Sequence, residues 1–75
     1  MYKLKSICKF TTADGRLVIE VKSPITCHRD RNILLEKLGV VKIDGVKHKV
    51  NNFDLYATLS DIREGEHIGL MVESG

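Results

Sequence analysis

Seventy-five residues, 43% hydrophobic and 29% charged, describe one small globular domain rather than a disordered chain. A chain of this length buries a modest core, so a partner or a second copy of itself is a standing expectation. The net charge of +2 neither demands nor excludes a nucleic acid, and local clustering has to decide.

Two cysteines, Cys8 and Cys27, are too few for a disulfide framework and lack metal-type spacing. No apolar run approaches a membrane span. The start, MYKLKSICKF, alternates lysine with apolar residues where a signal peptide needs a continuous apolar block. The expected setting is reducing and cytoplasmic, with no membrane.

Residues 2–12 alternate as a strand, with Tyr2, Leu4, Cys8 and Phe10 on one side and Lys3, Lys5, Ile7 and Lys9 on the other. After Ala13-Asp14-Gly15 comes a second strand at 16–22, with Leu17, Ile19 and Val21 on one side and Arg16, Val18, Glu20 and Lys22 on the other. A two-residue Asp-Gly turn places Phe10 opposite Ile19, Cys8 opposite Val21 and Lys9 opposite Glu20. Ser23-Pro24 ends that strand, because proline has no amide hydrogen for the ladder.

Thr26 or Asp30 suits the cap of a helix that carries Leu34, Leu35 and Leu38 on one side. Gly39 suits the left-handed position after it. Residues 40–44 and 46–50 read as strands joined by a tight Asp44-Gly45 turn, which pairs Ile43 with Val46, Lys42 with Lys47 and Val41 with His48. Two lysines directly opposite each other repel, a local conflict.

Asn51-Asn52 reads as a turn or a bulge; as a turn it sets Val50 against Phe53 and Lys49 against Asp54. Phe53 and Leu55 alternate with Asp54 and Tyr56. Residues 58–65 are polar, with Ile62 tucking inward. The last strand, 66–73, puts Ile68, Leu70 and Val72 on one side and His67, Met71 and Glu73 on the other, with Gly69 marking a bulge or a close backbone approach. Together these elements define a single domain over residues 1–75. The expected fold is a small antiparallel α+β domain, order β-β-α-β-β-β, with about five strands in a strongly curved sheet or partial barrel and one helix.

No chemistry-bearing constellation stands out. Cys27 and His28 are adjacent, which sends their side chains in different directions, and Cys8 faces the expected core. Cys8, Cys27, His28, His48 and His67 include no pair with the close spacing of metal ligands. His48 reads as half-buried, His28 and His67 as surface residues. Asp30, Glu36, Asp54, Asp61, Glu64 and Glu66 contain no distinguished carboxylate pair, and the glycines are spread singly, leaving no phosphate-cradling loop. No catalytic residue, metal or cofactor is expected. The fragments GRLVI, LLEKLGV and IREGEHIGLMVE resemble pieces of swapped-hairpin transcription-factor domains, but in the wrong order and spacing, so no family is assigned.

What remains is a distribution of charge. Lys42, Lys47 and Lys49 gather on one face of the second hairpin, and Lys3, Lys5 and Lys9 line the first strand. Such a surface neutralises phosphates. Two tyrosines and two phenylalanines are not interleaved with it to stack on bases, however, and the arginines do not cluster beyond one pair. Lysine on exposed strands also serves simply to stop edges from pairing. The leading expectation is therefore a non-catalytic protein-interaction module, inhibitory or accessory in kind. It would act through Lys42, Lys47, Lys49, His67 and Met71 and an open edge at the last strand, on a protein partner or a second copy. Nucleic acid binding through Lys3, Lys5, Lys9, Lys42, Lys47 and Lys49 is the alternative, and a self-assembling structural component the third reading.

Overall fold

A computed structural model describes residues 1–27, 29–54 and 62–73. The elements are β1 (Lys3–Leu4), β2 (Ser6–Thr11), β3 (Leu17–Lys22), α1 (Arg31–Leu38), β4 (Val40–Ile43), β5 (Val46–Asp54) and β6 (His67–Val72). The strands make one curled, half-barrel sheet in the order β1-β4-β5-β6-β3-β2, with a single helix against it. This is the small α+β fold expected, with changes in detail.

The first concerns residues 2–12, which form two strands rather than one. β1 pairs with β4, in parallel, at one edge of the sheet, and β2 pairs with β3 at the other. The sheet is therefore mixed. Lys5 alone joins the two edge strands, and one residue spans at most about 3.5 Å. The two edges must meet, which accounts for the curl. At the seam the Lys42 and Asp44 amides donate to Tyr2 and Leu4 carbonyls, both at 2.9 Å.

The second concerns the first hairpin. Cys8 lies opposite Glu20, Lys9 opposite Ile19 and Phe10 opposite Val18, one residue away from the expected register. The loop has three residues, closed by Thr12 N–H to the Arg16 carbonyl (2.8 Å), and only Gly15 in it takes a positive φ, 86°. This is the three-residue hairpin with a left-handed residue at its end. The extra loop residue moves Cys8 and Phe10 to the outer face, and a further register shift between Ser6 and Cys8 then sets Ser6 opposite Val21. Cys8 is exposed, not a core residue.

The second hairpin has the expected register throughout, Ile43 with Val46, Lys42 with Lys47 and Val41 with His48. Asp44 and Gly45 both take positive φ, 53° and 83°, as a two-residue turn of this kind requires. Asn51-Asn52 is a bulge: β5 runs on unbroken, with Val50 opposite Val72 and Asn52 opposite Met71. The pairs Val50–Phe53 and Lys49–Asp54 do not form, and Lys49 instead lies opposite Val40.

The helix is capped by Asp30, whose carboxylate accepts the Asn32 amide at 2.9 Å. Gly39 is right-handed, with φ −65°, and its role is spatial: a Cβ there would collide with the Leu35 carbonyl oxygen. Leu34 and Leu38 bring the helix onto Ile19, Val21, Val41, Ile43, Val50, Phe53, Ile68, Leu70 and Val72, and Ile62 joins them as expected. Gly69 is a close approach and not a bulge, since a Cβ would lie 2.9 Å from the Asp54 carbonyl oxygen and 3.2 Å from Val18 Cγ1.

One expectation with functional weight is overturned. β6 lies between β5 and β3 and is hydrogen-bonded on both sides, so the last strand offers no open edge. Order along the chain does not set position in a sheet. Expectations about His28, Leu55, Tyr56, Thr58 and Asp61 lie outside the described residues.

Candidate functional site

The parallel pairing at the seam produces an arrangement that neither hairpin has alone. Lys3 of β1 is the partner of Lys42 of β4, and Lys42 is the partner of Lys47 of β5. Directly paired residues share a face; Leu4 and Ile43, the next pair along, pack into the core, so the lysines point outward. With strands about 4.8 Å apart, the three ammonium side chains stand in a row roughly 10 Å long.

Among the described residues the ion pairs are Lys9–Asp44 (3.9 Å), Arg16–Asp14 (3.2 Å), Lys49–Glu73 (3.9 Å) and His67–Glu20 (3.1 Å). None of them engages Lys3, Lys42 or Lys47. Like charges facing each other across strands destabilise a sheet. The row is thus a concentration of like charge with no ion pair to any described residue.

The other expected residues divide into separate places. Lys49 shares the face of Lys47 but is drawn toward Glu73. Lys9, on β2, reaches the Asp44 carboxylate at the tip of the second hairpin and is not part of the row. Lys5 sits at the junction of β1 and β2. His67 and Met71 belong to the outer face of β6, where His67 is opposite Lys22 and bonded to Glu20, and Met71 is half-buried between Val18 and Asn52. The structure therefore unites Lys3 with Lys42 and Lys47, keeps Lys49 beside them, and leaves His67 and Met71 elsewhere. Strand periodicity gave no sign of the Lys3–Lys42 pairing, because that contact depends on a parallel partner distant in sequence.

Asp44 fastens the seam beneath the row. Its carboxylate accepts the Ser6 amide at 3.0 Å and the Ser6 hydroxyl at 2.5 Å. The Ser6 hydroxyl first, then the Ser6 amide and the nearby charges of Lys9 and Lys5, hold the Asp44 carboxyl below its ordinary range. Asp14 is lowered likewise, chiefly by the Thr12 hydroxyl and secondarily by Arg16.

Ser23 and Cys27 are buried beside each other. The Ser23 hydroxyl donates to the Ile25 carbonyl, and it lies 3.6 Å from the Cys27 sulfur. Among the described residues no three His, Cys, Asp or Glu side chains group to hold a metal ion, and no helix is long and apolar enough to cross a membrane.

Comparison with protein-family models, curated proteins and solved structures gave no match to this chain. Fold and surface define a small α+β domain with a curled sheet and a lysine row at its seam. Its function has to be argued from that surface.

Proposed function

We propose that the chain is a non-catalytic protein-interaction module that engages an acidic partner through Lys3, Lys42 and Lys47, with Lys49 beside them. The observation that carries this reading is the row itself: three lysines in register on adjacent strands, with no ion pair to any described residue. Carboxylates of a partner relieve the repulsion within the row, so complementarity gives both attraction and orientation. Lys49 is available as well, because an exposed ion pair such as Lys49–Glu73 contributes little. A reducing, cytoplasmic setting, with Cys8 and Cys27 as thiols, accords with this reading.

A phosphate backbone is also attracted by such a row. Sequence-tolerant binding of single strands usually adds aromatic side chains as stacking platforms. Tyr2 is the exposed aromatic side chain among the described residues, and it lies with Met1 and Lys37 rather than among the lysines of the row. The protein partner is therefore preferred.

The test is affinity capture from nuclease-treated source-cell lysate, run with the wild-type chain and with a Lys42→Glu, Lys47→Glu, Lys49→Glu variant. The expected result is a discrete protein retained by the wild type and lost from the variant. Equal retention by both chains removes the row from consideration. Retained nucleic acid that disappears with nuclease favours the nucleic acid reading instead.

A further inference from the structure

The break at Lys5 leaves a notch in the sheet. β1 turns to β4 while β2 stays with β3, and β3 ends at Lys22, with the Ser23 amide still bonded on the β6 side to the Glu66 carbonyl at 2.7 Å. The resulting shallow cavity, about 370 Å³, is lined by Lys3, Leu4, Lys5, Ser6, Ile7 and Lys22. Leu4 and Ile7 supply an aliphatic floor, and Ile7 is 46% exposed, a large apolar side chain left in water. Lys3, Lys5 and Lys22 line it as well, and none forms an ion pair with a described residue, although the Lys5 charge also acts on the Asp44 carboxylate bonded to Ser6. Lysine stems extend such an apolar surface while their heads remain at the rim.

Resting on the interaction-module reading above, we infer that this notch is the anchoring subsite for an acidic–aliphatic peptide segment of the partner protein. Two features select that ligand. The cationic rim calls for carboxylates, and the floor between Leu4 and Ile7 calls for an aliphatic side chain beside them. A peptide carries both on neighbouring residues, whereas a phosphodiester chain carries charge with no aliphatic group to cover Leu4 and Ile7. Lys3 belongs both to the notch and to the lysine row, so one extended segment anchored at Lys5 continues across Lys42 to Lys47.

Fluorescence anisotropy on the full chain tests this, with a fluorescein-labelled peptide of alternating glutamate and leucine. Polyglutamate and oligothymidylate of equal charge serve as comparators. The glutamate–leucine peptide should bind about tenfold more tightly than polyglutamate. Ile7→Ser should abolish that preference, and a Lys5→Gln, Lys22→Gln variant should weaken the peptide about tenfold. All three positions are exposed, and circular dichroism of each variant establishes that the fold is retained. Equal binding of peptide and polyglutamate, no peptide binding, or tightest binding of oligothymidylate overturns the notch as a peptide subsite. The interaction-module reading fails separately. If only the Lys42→Glu, Lys47→Glu, Lys49→Glu variant loses the peptide, the row stands and the notch falls; if no variant loses it, both fall.

Discussion

The chain reverses twice on Asp-Gly, and the two reversals are built differently. At Asp14-Gly15 the loop has three residues, and the Thr12 hydroxyl organises it. That hydroxyl donates to the Asp14 carboxylate and accepts the Arg16 amide at 3.1 Å, while Arg16 Nε approaches Asp14 at 3.2 Å. Local bonds hold Asp14 out of the left-handed region, leaving Gly15 to take the positive φ. At Asp44-Gly45 the flanking residues are Ile43 and Val46, which offer no side-chain hydrogen bonds. There the carboxylate is bonded across the seam by Ser6, and both central residues are left-handed. The same dipeptide gives two loop lengths because its neighbours offer different partners. One extra loop residue changes every pairing that follows.

The comparison is most forcefully tested in the core that the two hairpins share. Ile19 of β3 and Ile43 of β4 are each 1% exposed, so Ile19→Ala and Ile43→Ala should each cost about 2–5 kcal/mol in urea denaturation. A loss below about 1 kcal/mol at either position would show that its hairpin is not seated on the common core. The glycines come next. Gly15→Ala and Gly45→Ala each force a side chain into the left-handed region, at a cost of about 1–2 kcal/mol. The turns then separate at the preceding residue: Asp44→Val should lower the melting temperature more than Asp14→Val, since only Asp44 has a positive φ.

Smaller effects should distinguish the charges. Lys42→Glu inserts an acid between Lys3 and Lys47 and should raise stability by about 0.2–1 kcal/mol. The same substitution at Lys9, which faces Ile19 across the first hairpin and reaches toward Asp44, should bring no such gain. Acid should produce the mildest change. In the folded chain the Asp14 and Asp44 carboxyls are both held below their ordinary range. Their contribution is present above the unfolded value and is lost as pH falls through the folded one. Melting temperature should drop as pH falls below the ordinary carboxylate range, and Asp44→Asn should reduce the drop. An unchanged drop in that variant would place the acid sensitivity elsewhere.

These particulars mark where sequence reading succeeded and where it stopped. The second hairpin, the Asp30 cap and the inward faces of β3 and β6 were legible because local periodicity and turn chemistry agree there. The lysine pair Lys42–Lys47 followed from that turn alone. The first hairpin was misread by one residue because the Thr12–Asp14–Arg16 network outweighs the plain preference of Asp-Gly for two-residue turns. Val18 shows the consequence: on the outer face with Phe10 and Met71 opposite it on either side, it is fully buried nonetheless. Strand order was not legible at all. The parallel β1–β4 contact, the central place of β6 and the notch at Lys5 all arise from long-range pairing, which no single-strand pattern encodes.

The central claim is that the row at the seam holds uncompensated charge for a partner. The most direct measurement is capture of the nuclease-resistant protein partner by a single Lys42→Glu variant, set beside its melting temperature. The account predicts a higher melting temperature together with lost capture, because one substitution both relieves the repulsion and cancels the attraction. A higher melting temperature with capture unchanged would contradict it, and would leave the lysines as a device that only keeps the surface soluble.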